Sequence, residues 1–123
     1  MRRILVVDDE RLVADTLRLI FIKYGFDARV AYSVEDALDR ARDFLPQLLL
    51  CDISMPGRDG LELMETLGKE QPGCKVLVLT GYYSNLQRVR EHARHLPRPA
   101  GILTKPCQPA ELLREADAML ESA

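Results

Sequence analysis

The chain has 123 residues, 47% hydrophobic and 29% charged, which suits one domain with its own core and leaves no room for a second. With 17 Lys+Arg against 19 Asp+Glu the net charge is -2, so the basic excess of a nucleic-acid binder is missing. No apolar run approaches the ~20 residues of a membrane-spanning helix, and two aspartates follow Ile4–Val7 too soon for a secretory signal.

Arg3 to Val7 reads as a continuous apolar strand, the pattern of a parallel strand covered on both faces. Glu10 to Tyr24 carries Val13, Leu17, Ile20, Phe21 and Tyr24 on one helical face, and Gly25 stops that helix. Leu12, Leu19 and Ile22 lie off this face, as half-buried packing or as a patch that receives a partner protein. Asp27 to Ala31 is a second, weaker strand. Ser33 with Asp36 three residues on resembles a capping box and opens a helix through Phe44, which Pro46 ends. Leu48 to Cys51 is the third strand, followed by a Pro/Gly loop from Met55 to Gly60. Leu61 to Glu70 reads as helix and Val76 to Leu79 as the fourth strand. Ser84 to Leu96 places Leu86, Val89, Ala93 and Leu96 on one stripe of a fourth helix. Its Arg88, Arg90 and Arg94, with Arg98 beyond, read as a solvated basic face, with docking of an acidic partner surface as the other reading. Ile102 to Thr104 is a short fifth strand. Pro109 suits the first turn of a last helix whose core face is Leu112, Leu113, Ala116, Met119 and Leu120.

Five strands alternating with five helices predict an α/β doubly wound domain on a parallel sheet, with helices on both faces. Repeats, low-complexity stretches and linkers are not seen. Cys51, Cys74 and Cys107 show no CxxC and no zinc-type spacing, which points to a reducing cytoplasm. Cys51 ends an apolar run and reads as a small buried hydrophobe.

In such a sheet ligands bind beyond the carboxyl ends of the strands, so the residues just after each strand carry the argument. These are Asp8 and Asp9 after the first, Asp52 after the third, Thr80 after the fourth, and Lys105-Pro106 after the fifth. Tyr32 and Ser33 after the second carry no comparable charge. Taken singly, each has a plain structural reading: Asp8 or Asp9 caps a helix, Asp52 caps a turn, Thr80 caps the next segment, and Lys105 is a solvated charge. Together they are poorly explained that way. Three carboxylates at neighbouring strand ends repel one another, and a divalent cation is the natural compensation. Hard oxygen ligands favour magnesium, with manganese as a substitute. A lysine and a threonine hydroxyl nearby complement a phosphoryl group, so the set suits phosphoryl transfer onto a carboxylate.

With these residues the chain resembles the receiver domain of two-component response regulators of the chemotaxis-regulator type, over essentially its whole length. The matching stretches are Asp8-Asp9, Asp52-Ile53-Ser54-Met55-Pro56-Gly57-Arg58-Asp59-Gly60, Thr80-Gly81 and Lys105-Pro106. The resemblance implies a flavodoxin-like (βα)5 fold with strand order 2-1-3-4-5, as a single receiver domain over residues 1–123 with no output domain. It implies Asp52 as phosphoacceptor from a sensor histidine kinase or a histidine phosphotransfer protein. It implies magnesium held by Asp9, Asp52 and the Ser54 backbone carbonyl, with Asp8 holding the metal's water. Thr80 matches the switch hydroxyl, Lys105 the cation that pairs with the phosphate, and Lys105-Pro106 a cis bond. Such a domain is a signalling switch that assists its own phosphorylation and dephosphorylation. It presents the surface of the fourth helix, fifth strand and last helix to a downstream protein target. A homodimer through the fourth-helix face is an option the resemblance leaves open.

The chain departs from the pattern at Ile102, where many relatives carry Tyr or Phe. It departs again in a longer stretch at His95-Leu96-Pro97-Arg98-Pro99, and at Tyr82 and Ser54, positions that bear on the phosphoryl lifetime. A bulky Tyr82 is expected to shield the bond from water. Two other readings stand beside the switch: a receiver-like scaffold that is not phosphorylated, and a flavin-binding domain on the same fold, which the absence of a Ser/Thr/Gly-rich loop after the first strand disfavours.

Overall fold

A computed structural model describes residues 2–52, 60–80, 90–91, 101–104 and 107–121. Its strands are β1 (Arg3–Val7), β2 (Asp27–Ala31), β3 (Leu48–Asp52), β4 (Lys75–Thr80) and β5 (Gly101–Thr104). They form one parallel sheet in the order β2-β1-β3-β4-β5, as expected. Among the described residues four helices pack on it: α1 (Arg11–Lys23), α2 (Val34–Phe44), α3 (Gly60–Glu70) and α4 (Pro109–Glu121). The helix expected over Ser84 to Leu96 lies outside the described residues except for Arg90 and Glu91, which are helical and exposed.

The period of two along each strand divides the core into two layers. Leu5, Val7, Leu49, Cys51, Val76 and Val78 point to one face, where α2 and α3 cover them with Ala37, Ala41, Phe44, Leu63, Met64 and Leu67. Ile4, Val6, Leu48, Leu50, Leu77 and Leu79 point to the other, covered by α1 and α4 through Ala14, Phe21, Leu112 and Ala116. Apolar burial on both faces is why β1, β3 and β4 read as unbroken hydrophobic runs. The edge strand β2 alternates instead, with Arg29 exposed between Ala28 and Ala31. Arg18 of α1 reaches it and donates through Nε to the Ala28 carbonyl at 3.1 Å.

Helix ends follow local chemistry. Past the C-cap Tyr24, Gly25 takes φ 92°, and its N–H donates to the Ile22 carbonyl while the Phe26 N–H donates to Phe21. That pair of bonds is a Schellman motif, and it brings the Phe21 and Phe26 rings together edge to face at 5.1 Å. Tyr24 therefore corrects one expectation. It stands at the C-cap, beyond the helical stripe, and is exposed. Leu12 and Leu19 are 81% and 62% exposed, so they are surface residues, not half-buried packing. Ser33 caps α2 by accepting from the Asp36 N–H at 3.1 Å. The return arm of the box goes one residue further back, with Asp36 Oδ2 accepting from the Tyr32 N–H at 3.4 Å.

Candidate functional site

The strand register places the charged residues. Val7 pairs with Cys51, so Asp8 stands level with Asp52; Asp52 pairs with Leu79, so Thr80 lies one residue further along β4. Asp52 and Thr80 are the last residues of their strands. Both are buried, as is Asp8, while Asp9 is exposed at the rim. Asp8 is fixed twice: its N–H donates to the Ala31 carbonyl at 3.2 Å, and its Oδ1 accepts from the Glu10 N–H at 3.0 Å.

One carboxylate oxygen from each of Asp8, Asp9 and Asp52 lies within 4.8 Å of the others. Three acids so close, two of them buried, form a cluster whose charge calls for a cation, and an all-oxygen donor set is what magnesium accepts. Thr80 pairs with Thr104 across β4 and β5, at the same end of the sheet. Lys105 follows Thr104 in sequence; it, Pro106 and Ser54 lie outside the described residues, as do Tyr82 and the stretch from His95 to Pro99. Ile102 is half-buried against the layer formed by α2 and α3.

Sequence reasoning passed over Tyr32. Its hydroxyl donates to Asp15 Oδ1 at 2.6 Å, and the Arg11 guanidinium carbon sits 4.3 Å above its ring. The hydrogen bond to Asp15 pushes the Tyr32 phenol above its ordinary pKa. Arg11 and Asp15 stand four residues apart on α1, a spacing that puts both on one side of the helix and was legible as a pair. Burial pushes Cys74 up to about 12, and burial with Glu111 beside it raises Cys107, so both are thiols at neutral pH. Among the described residues no helix is long and apolar enough to cross a membrane.

Residues 4–117 match the response regulator receiver domain family. A CheY-like response regulator receiver domain protein from Methanospirillum hungatei JF-1 is similar at 30% identity and a TM-score of 0.88, over 98% of this chain and 94% of that one. The receiver domain of NtrX from Brucella abortus is similar at 30% identity and a TM-score of 0.86, over 98% and 99%. A longer NtrX structure from the same organism matches at 30% identity and a TM-score of 0.86, with 98% of this chain covering 27% of it. Receiver domains are signalling switches of two-component systems and bind magnesium at an acidic pocket. A parallel sheet in the order 2-1-3-4-5, three clustered aspartates at its carboxyl end and a family match over nearly the whole length make this chain a member of the response regulator receiver domain family.

Proposed function

We propose that the chain is a phosphorylation switch whose acceptor is Asp52, charged by the phosphohistidine of a sensor histidine kinase or a histidine phosphotransfer protein. The observation that supports this is the meeting of Asp8, Asp9 and Asp52 within 4.8 Å beside the buried end of β4. An Asp52 carboxylate oxygen attacks phosphorus, a P–O bond forms as the P–N bond breaks, and the imidazole leaves with the electron pair. Asp9, Asp52 and the Ser54 carbonyl would hold Mg2+, or Mn2+ in its place, with Asp8 holding a metal-bound water. When bound, the cation neutralises charge on the transferring phosphoryl oxygens.

The Thr80 hydroxyl then donates to a phosphoryl oxygen and the Lys105 ammonium pairs with another. Phosphorylation adds about -1.5 to -2 charges to the pocket, and the states in which Thr80 and Lys105 meet that charge gain population. Thr80 ends β4 next to β5, so the change passes to β5 and α4 and alters the surface offered to a downstream protein target. Attack by water on the same phosphorus returns Asp52 to a free carboxylate, and the same pocket assists both directions. The setting is the cytoplasm.

Intact mass after incubation with acetyl phosphate or phosphoramidate, with and without Mg2+, tests the proposal. The expected result is a Mg2+-dependent gain of one phosphoryl group that Asp52→Asn abolishes. No gain from either donor, with no Mg2+ uptake by calorimetry, would overturn it in favour of an unphosphorylated scaffold.

A further inference from the structure

Resting on the metal-binding reading above, we infer that Tyr32, gripped by Arg11 and Asp15, is the positioning residue that holds Asp9 at the rim of the acidic cluster. Asp8 is buried and doubly hydrogen-bonded, so its place is fixed by β1 and β2. Asp9 is exposed and lies on the short connection between β1 and α1. Where its carboxylate stands depends on where α1 begins.

The Asp8 carboxylate holds only the Glu10 N–H at the start of α1, and the first turn of the helix has no anchor of its own. Glu10 at the N-cap makes no side-chain cap bond, and the first turn contains no acidic residue. Arg11 instead puts a cation at the positive end of the helix dipole, which is unfavourable. Tyr32 compensates from outside the helix. Its ring face carries the Arg11 guanidinium at 4.3 Å, and its hydroxyl holds Asp15 one turn later at 2.6 Å. Tyr32 is itself held, since its body packs on the layer covered by α1 and α4, and its N–H donates to Asp36 of α2.

Ala31, the residue before it, accepts from the Asp8 N–H. Two consecutive residues at the end of β2 thus tie down both sides of Asp9: the main chain of Ala31 on the Asp8 side and the side chain of Tyr32 on the α1 side. Partners one step removed from a metal commonly change its affinity when lost, because they fix the geometry of the ligands.

Calorimetric titration with Mg2+ alone tests the assignment, with melting temperature measured in parallel. Tyr32→Ala is expected to weaken Mg2+ binding about tenfold. Tyr32→Phe, which keeps the ring and the guanidinium contact, and the surface change Asp15→Ala are expected to weaken it about threefold to fivefold. Arg11→Lys should retain more affinity than Arg11→Ala, because a lysine restores a cation on the ring. A purely structural role would lower the melting temperature and leave the affinity unchanged. Wild-type binding with no change in any variant overturns this inference alone, whereas a wild type that takes up no Mg2+ overturns the metal-binding reading and this inference with it.

Discussion

Cys74 precedes β4 with its thiol buried, and that burial holds its pKa up at about 12. An unfolded cysteine ionises near pH 8.5. Between those limits the native state keeps a proton that the unfolded chain releases, so the stability this thiol contributes is complete below pH 8.5 and drains away as pH rises. Urea midpoints of wild type and Cys74→Ala, compared from pH 8 to pH 10, should show the wild type losing about 2 kcal/mol more than the variant. A constant difference across that range would contradict the burial argument. The site residues were legible because each carries charge or a hydroxyl where an apolar strand stops. Asp8, Asp9, Asp52 and Thr80 needed only strand positions and the rule that ligands gather at carboxyl ends. Tyr32 was not legible in that way. Its neighbours come from α1 across the sheet edge, and nothing local to Tyr32 and Ser33 announces them.

Elements were readable wherever a single local cause ends them. Gly25, Ser33 and Pro109 each act within one turn, and the structure keeps all three roles. Tyr24 was misplaced because helical periodicity says nothing about where the Schellman turn interrupts it. The end of α2 is a different case, since Leu45 rather than a glycine takes the left-handed conformation there, at φ 52° and ψ 63°. Its N–H donates to the Ala41 carbonyl and its own carbonyl accepts from Arg3 Nε, so the conformation is enforced by backbone bonds that any residue would make. A side chain there costs about 1–2 kcal/mol, and glycine returns part of that gain through its freer unfolded chain. Leu45→Gly is therefore expected to stabilise the protein by about 0.5–1 kcal/mol, seen as a higher urea midpoint at unchanged slope. A lower midpoint would show that the exposed leucine makes contacts worth more than its strain.

At the scale of the whole molecule, the sheet holds three acids together that would separate if they could. Cation binding should therefore raise stability throughout the fold, by about 2.7 kcal/mol when Mg2+ is a hundredfold above its dissociation constant. Thermal melts are expected to shift upward by several degrees with Mg2+. Asp9→Asn should melt higher than wild type without metal, on the order of 1 kcal/mol, and respond little to it. A Mg2+ response retained in that variant would remove Asp9 from the ligand set. Alternation of strands and helices was enough to predict the parallel sheet, but its order came from the family resemblance, because periodicity carries no information about which strands are neighbours. The order leaves β2 at a margin, where a foreign strand could add to its open backbone groups and extend the sheet from one molecule to the next. Arg18 already occupies the Ala28 carbonyl with a charged group, and the exposed Arg29 lays its guanidinium over the Phe44 ring at 4.3 Å. An incoming chain would have to displace one cation and bury another, so this border resists templated aggregation while the carboxyl ends of the inner strands stay free to do chemistry.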